Sequence, residues 1–217
     1  MIQLPFSIIL LSVVMLLILL GLAQRVLDRM RLTDKTALVM LLLLIISHFL
    51  PKVSVTSYLA LNLGALIPLG IIGYLLITAE KGERIRAIII SLVTAFILWV
   101  TDQLLPITPG KMIFDLDPLY IPGIAAGLIS YFTTRSRRSA FISAIAAVFL
   151  NDLWAAFSIS PKTYHAQIVL GGGGIFDALL INGIIAVLIA EGIGEIRERI
   201  HRGPAKVKDI EDGDSHD

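Results

Sequence analysis

The stretch "GGGGIFDALLINGIIAVLIAEG", Gly171 to Gly192, sets four consecutive glycines and an aspartate, Asp177, at the head of an apolar run. From Ile175 to Ala190 the only other polar side chain is Asn182. A run of this kind is either a buried core helix or a membrane span, and composition decides between them. The chain has 217 residues, 56% of them hydrophobic and 16% charged, with a mean hydropathy of +0.86. Soluble domains carry about a quarter charged residues, so the sequence reads as a membrane protein. The absence of cysteine excludes disulfides, thiolate catalysis and Cys-ligated metals.

A hydrocarbon core about 30 Å thick needs roughly 20 helical residues. Seven segments meet or approach that length: 4–23, 37–53, 57–79, 87–105, 118–134, 140–159 and 165–193, the last interrupted by the glycine run. The first has no basic residue before its apolar run, which is about as long as a span and longer than the apolar region of a signal peptide, so it reads as a retained helix. The second is the shortest clean run and meets Pro51. Charge placement retains it. Loops 24–36, 80–86 and 135–139, with the tail from 194, hold 15 of the 18 Lys and Arg residues; the intervening loops hold only Lys52, Lys111 and Lys162. This strict alternation predicts an all-α bundle of seven spans, residues 1–193, with the N-terminus outside and the C-terminus in the cytosol. Residues 194–217 form a cytosolic tail, first basic, then acidic and too polar to bury anything. The location expected is the cell (cytoplasmic) membrane, multi-pass.

Charged groups within a span cost about 2.5 to 3.5 kcal/mol on insertion scales, so each needs a reason. Counted from the cytosolic end at about 1.5 Å per residue, Asp152 lies roughly 18 Å up, Asp102 22 Å, Asp177 24 Å and Asn62 25 Å, with His48 and Asn182 near 16 Å. Polar side chains of several helices are therefore expected in one layer toward the outer face. Simpler roles compete. Asp102 is close enough to its outer end to be wetted, His48 can bond a carbonyl freed by Pro51, and Asn62 and Asn182 can make interhelical amide bonds. Gly123 and Gly127 form a small-residue pair for helix packing. Asp115, Asp117 and His165 read as solvated loop residues, so no metal and no cofactor are expected. Asp152 has only Asn151 as a polar neighbour. Asp177 is either an anion favoured in the first turn of a helix or part of a site made where the glycines break a span.

Three segments carry a resemblance: "NLGALIPLGIIGYLL", "RSAFISAIAAVFLNDLWA" and "IVLGGGGIFDALLINGIIAVLIA". They resemble, in order, the hallmark segments of the uncharacterised prokaryotic membrane family catalogued as domain of unknown function 1614. The matching positions are Asn62, Gly64, Pro68, Asp152, Gly171, Gly172, Gly174, Phe176 and Asp177. Asn151, Ile175 and Ala178 depart from the family pattern. The resemblance implies a membrane location and no established activity.

Three functions fit these residues. Asp152 and Asp177, on consecutive antiparallel spans, can share a proton and activate water, which would make the chain an intramembrane aspartyl protease-like hydrolase. Asn62, Asn151, Gly171, Gly172, Gly174 and Phe176 are the binding residues expected around them. Presenilin-like proteases use such a pair with a Gly-x-Gly-Asp motif, but here Ile175 and Phe176 separate Gly174 from Asp177. The second function is a proton- or cation-coupled transporter or channel for a small solute. The third is a scaffold in which the aspartates only pack helices. The partners expected are the lipid bilayer and a membrane-embedded peptide, lipid or small solute, with self-association left open and no nucleic acid.

Overall fold

The computed structural model describes residues 6–21, 23–47, 49–56, 59–104, 120–158, 168–170 and 178–201. Most of the apolar runs are helices. Helix α1 (Phe6–Leu19) stops at Gly21, whose φ of 73° is open to glycine at little cost. The short α2 (Gln24–Arg29) and then α3 (Asp34–Ser47) follow. Next come β1 (Lys52–Ser54), β2 (Leu59–Asn62), a 3-10 turn over Leu63–Ala65 and α4 (Leu66–Ile77). Helices α5 (Lys81–Leu104), α6 (Ile121–Thr134) and α7 (Arg137–Ser158) are succeeded by β3 (Ile168–Leu170) and α8 (Ala178–His201).

The fold is helical, as expected, and α5, α7 and α8 are long and apolar enough to cross a membrane. Helices α1, α3, α4 and α6 are shorter than the spans read from hydropathy. Two boundaries differ for a clear reason. The segments expected as helix over 37–53 and 57–79 instead meet in a hairpin, with Val53 opposite Leu61 and Lys52 opposite Asn62. Val53, Val55 and Thr56 favour extended backbone, Pro51 ends helical pairing, and a short apolar run cannot be assigned to strand or helix by hydropathy alone. The last segment, expected from residue 165, is a strand over 168–170 and a helix from Ala178. Strand β3 lies parallel to β2, Leu59 opposite Ile168 and Leu61 opposite Leu170, in a sheet ordered β1-β2-β3.

Two packed regions hold the helices. In the first, Leu11, Leu41, Leu44, Leu75, Ile145 and Leu180 join α1, α3, α4, α7 and α8. The second is built from small residues, Ala126, Ala140, Ala144, Ala186 and Ala190, which bring α6, α7 and α8 close. Gly123 and Gly127 face α8: a Cβ at Gly123 would come within 2.8 Å of the Asn182 carbonyl oxygen, and one at Gly127 within 2.8 Å of that of Ala186. The outside of the bundle is apolar as well. Phe96, Phe132, Trp154 and Phe157 are all exposed, Phe157 to 81%.

The turn into α4 shows why its residues are small and polar. Asn62 accepts a hydrogen bond from the Gly64 N–H at 3.0 Å, the N-cap geometry that starts a helix. A Cβ on Gly64 would overlap the Ser47 carbonyl at the end of α3. Gly73, within α4, faces open space. Gly64→Ala should therefore destabilise the protein by about 1–3 kcal/mol, since backbone must move. Gly73→Ala should leave stability unchanged or raise it by up to about 1 kcal/mol. Thermal unfolding of the two variants in detergent, followed by tryptophan emission, checks this contrast.

Candidate functional site

At the end of α5 the Asn151 amide donates to the Asp102 carboxylate at 2.9 Å, tying α5 to α7. Trp99 and Trp154 meet edge to face beside this bond, with centroids 6.5 Å apart, and Phe96 stacks on Trp99. Phe96, Trp99, Asn151 and Trp154 line a groove of 380 Å³ between the two helices. Asp102 is exposed, in keeping with a wetted carboxylate, and Asp152, the next residue on α7, is half-buried. Asp177, Gly171, Gly172, Gly174 and Phe176 lie outside the described residues, as do His48, Asp115, Asp117 and His165.

The other polar residues expected in this layer have separate positions. Asn182 is fully buried and accepts from the Gly123 N–H at 2.6 Å, an interhelical amide contact in the seam where Gly123 leaves room for it. Asn62 lies on β2 and caps its own turn. The structure therefore joins Asp102 to Asn151, uses Asn182 to fix α6 on α8, and uses Asn62 to begin α4. Topology nonetheless gathers the flanks of the three hallmark segments. Strand β2 ends at Asn62 and pairs with β3, which ends at Leu170 directly before the glycine run, and β3 packs against α7, the helix that bears Asp152. Among the described residues no group of three His, Asp or Glu side chains is placed to hold a metal.

A second polar assembly sits at the opposite end of the helices. The Glu191 carboxylate on α8 receives Arg29 of α2 at 3.3 Å and the Arg137 Nε of α7 at 2.7 Å. Arg29 also reaches Glu198 at 2.6 Å, and Arg25 reaches Glu195 at 3.0 Å. The side chains of Arg137 and Glu191 are only 7% and 16% exposed. Nearby, Ser136 caps α7, accepting from the Ser139 N–H at 3.1 Å and donating to Glu83 at 2.5 Å. Arg84 donates to the carbonyls of Leu76, Ile77 and Ala79 at the end of α4. Arg31 bonds Glu80 at 2.7 Å, a contact that raises the guanidinium pKa further. Sequence reasoning treated these arginines as topology signals and passed over Glu191. The clue was a carboxylate directly after the apolar run "AVLIA", where an unpaired charge is expensive.

The profile of a family described only as a protein of unknown function (DUF1614) matches residues 18–189, and the chain belongs to that family. No curated protein and no solved structure matches the chain.

Because Glu191 is enclosed by two guanidiniums, Glu191→Leu leaves Arg29 and Arg137 facing each other and should cost about 3–5 kcal/mol. Glu80→Ala removes an exposed pair and should leave stability almost unchanged. Chemical denaturation of both variants in mixed micelles checks the difference.

Proposed function

We propose that this member of a family of unknown function is a seven-span, N-out/C-in protein of the cell membrane in which Asp152 and Asp177 form an intramembrane hydrolase site for a peptide. The threading is supported by the meeting of the four basic segments at one end of the bundle, where Arg25 and Arg29 reach Glu195, Glu191 and Glu198, Arg31 reaches Glu80, Ser136 reaches Glu83, and Arg137 reaches Glu191. Alternating basic loops have to meet in this way if all lie on one side of a membrane.

The observation that carries the site is the parallel pairing of β2 with β3. It joins the segment ending at Asn62 to the one leading into the glycine run, and β3 packs on the helix of Asp152. Among the described residues strand β3 is also at the edge of the sheet. An open edge offers unpaired backbone groups to an extended peptide. In the reaction one aspartate is ionised and takes a proton from water, whose oxygen adds to the scissile carbonyl carbon. The other is protonated and donates to the carbonyl oxygen. Collapse of the tetrahedral intermediate breaks the C–N bond, and a proton passes to the leaving amine. Asn151, Gly171, Gly172, Gly174 and Phe176 would line the site.

Two observations favour the other readings. Asn62 and Asn182 are engaged in capping and packing, which suits a scaffold. The irregular backbone between α3 and α4 suits a transporter with a broken span, which would use the same carboxylates to move a proton or cation.

Natural absence of cysteine makes a direct test available. Asp152→Cys with Asp177→Cys should form a disulfide on mild oxidation in membranes, as should the control pair Asp102→Cys with Asn151→Cys. In the wild type, a carbodiimide that modifies protonated carboxyls within membranes should label one of the two aspartates near neutral pH. A control that cross-links while the 152–177 pair does not, with neither aspartate labelled, overturns the shared site.

A further inference from the structure

The arginine-rich end of the bundle contains a cavity of 310 Å³ lined by Tyr131, Arg135, Arg137, Gly194, Arg197 and Glu198. We propose that it is a binding site for a phosphate-bearing anion of the kind presented by acidic phospholipid headgroups, distinct from the aspartate site and independent of it. Three features of the site support this.

The first is charge. Arg135, Arg137 and Arg197 line the cavity against the single carboxylate of Glu198. The pair behind it, Arg29 and Glu191, adds one charge of each sign. A guanidinium presents forked donors that match phosphate oxygens, and it does so best where water is partly excluded. Arg137 is held in place: its Nε is on Glu191 and its Nη1 is on the Arg135 carbonyl at 2.8 Å.

The second is the absence of a side chain on α8. A Cβ at Gly194 would collide with the Arg137 Nη2 group and approach Arg29 Nη1. Glycine at this position lets the Arg137 guanidinium cross the helix to the cavity. At Gly192, two residues away, a Cβ would meet nothing.

The third is the backbone of Arg135. It closes α6 in the left-handed conformation, φ 53° and ψ 20°, with its N–H bonded to the Ser130 and Tyr131 carbonyls. Glycine is the residue that this helix-ending conformation favours, and a branched-Cβ-free but bulky arginine is strained there. Among the described residues the other non-glycine residue with positive φ is also an arginine, Arg31, and its side chain is committed to Glu80. Among the described residues the Arg135 guanidinium has no carboxylate partner, although it borders the cavity. The strained backbone is accounted for if the side chain is required there for a ligand. Basic pockets between helices at the membrane surface are suited to acidic headgroups, and the buried Tyr131 ring beside the arginines fits that level.

The test uses the purified full-length protein in a neutral detergent, titrated by calorimetry with dioctanoyl phosphatidylglycerol, dioctanoyl phosphatidylcholine and inorganic phosphate. The glycerol lipid should bind at least about tenfold more tightly than the choline lipid, whose net charge is zero. Arg135→Gly is the discriminating variant. It should bind about tenfold more weakly while melting at the same or a higher temperature, because it removes the guanidinium and relieves the backbone. Arg197→Gln should weaken binding in the same direction. Competition by inorganic phosphate assigns the site to phosphate in general, and its failure to compete assigns it to the lipid headgroup; either result supports an anion site. Equal binding of the two lipids, no binding of either lipid or of phosphate, or an Arg135→Gly affinity within about twofold of wild type overturns the proposal.

Discussion

A single carboxylate, Glu191, holds one end of this molecule together. Its two oxygens are shared between Arg29 of α2 and Arg137 of α7, and it stands on α8, so three elements far apart in sequence converge on it. A carboxylate there would be costly alone, as would either arginine. Together, with the bonds from Arg137 to the Arg135 carbonyl and from Arg29 to Glu198, their hydrogen-bonding needs are largely met. The placement also sets the register of α7 against α8. From that register follow the close small-residue packing of Ala140 and Ala144 against Ala186 and Ala190, and the height at which Asn151 and Asp152 emerge along α7. The ionic end and the Asn151–Asp102 contact are thus two consequences of one alignment of helices.

The helices were legible because an apolar run that must satisfy its own backbone has few alternatives. The gathering of basic residues was legible in the alternation of Lys and Arg between loops, and so was the glycine seam, because Gly123 and Gly127 recur at the spacing that brings two helices close. The hairpin was not. Its strands are only three and four residues long, and hydropathy reads Val53 and Leu61 in the same way in either conformation. Asn62 was placed at depth in a helix, whereas the chain uses it to begin one. Glu191 was missed because counting basic residues for topology directs attention away from the acids that neutralise them. Partners such as Arg29 and Glu191, 162 residues apart, cannot be paired from sequence alone.

The hallmark residues separate by physical role. Asn62 and Gly64 form a cap and a close approach of backbones, while Pro68 sits buried in the first turn of α4, where a missing N–H is tolerated. Their chemistry is accounted for by the turn they make. Asp152 stands apart from that turn, half-buried late in α7.

The account depends on which side of the membrane the arginine-rich end faces, and side-specific labelling measures this directly. Gly82 lies at that end, exposed and with room for a side chain, and Lys162 falls between α7 and β3 in the sequence. With single cysteines at these positions and an impermeant maleimide, Lys162→Cys should label in intact cells and Gly82→Cys only after the membrane is opened. Labelling of Gly82→Cys in intact cells, with Lys162→Cys protected until lysis, would contradict the account.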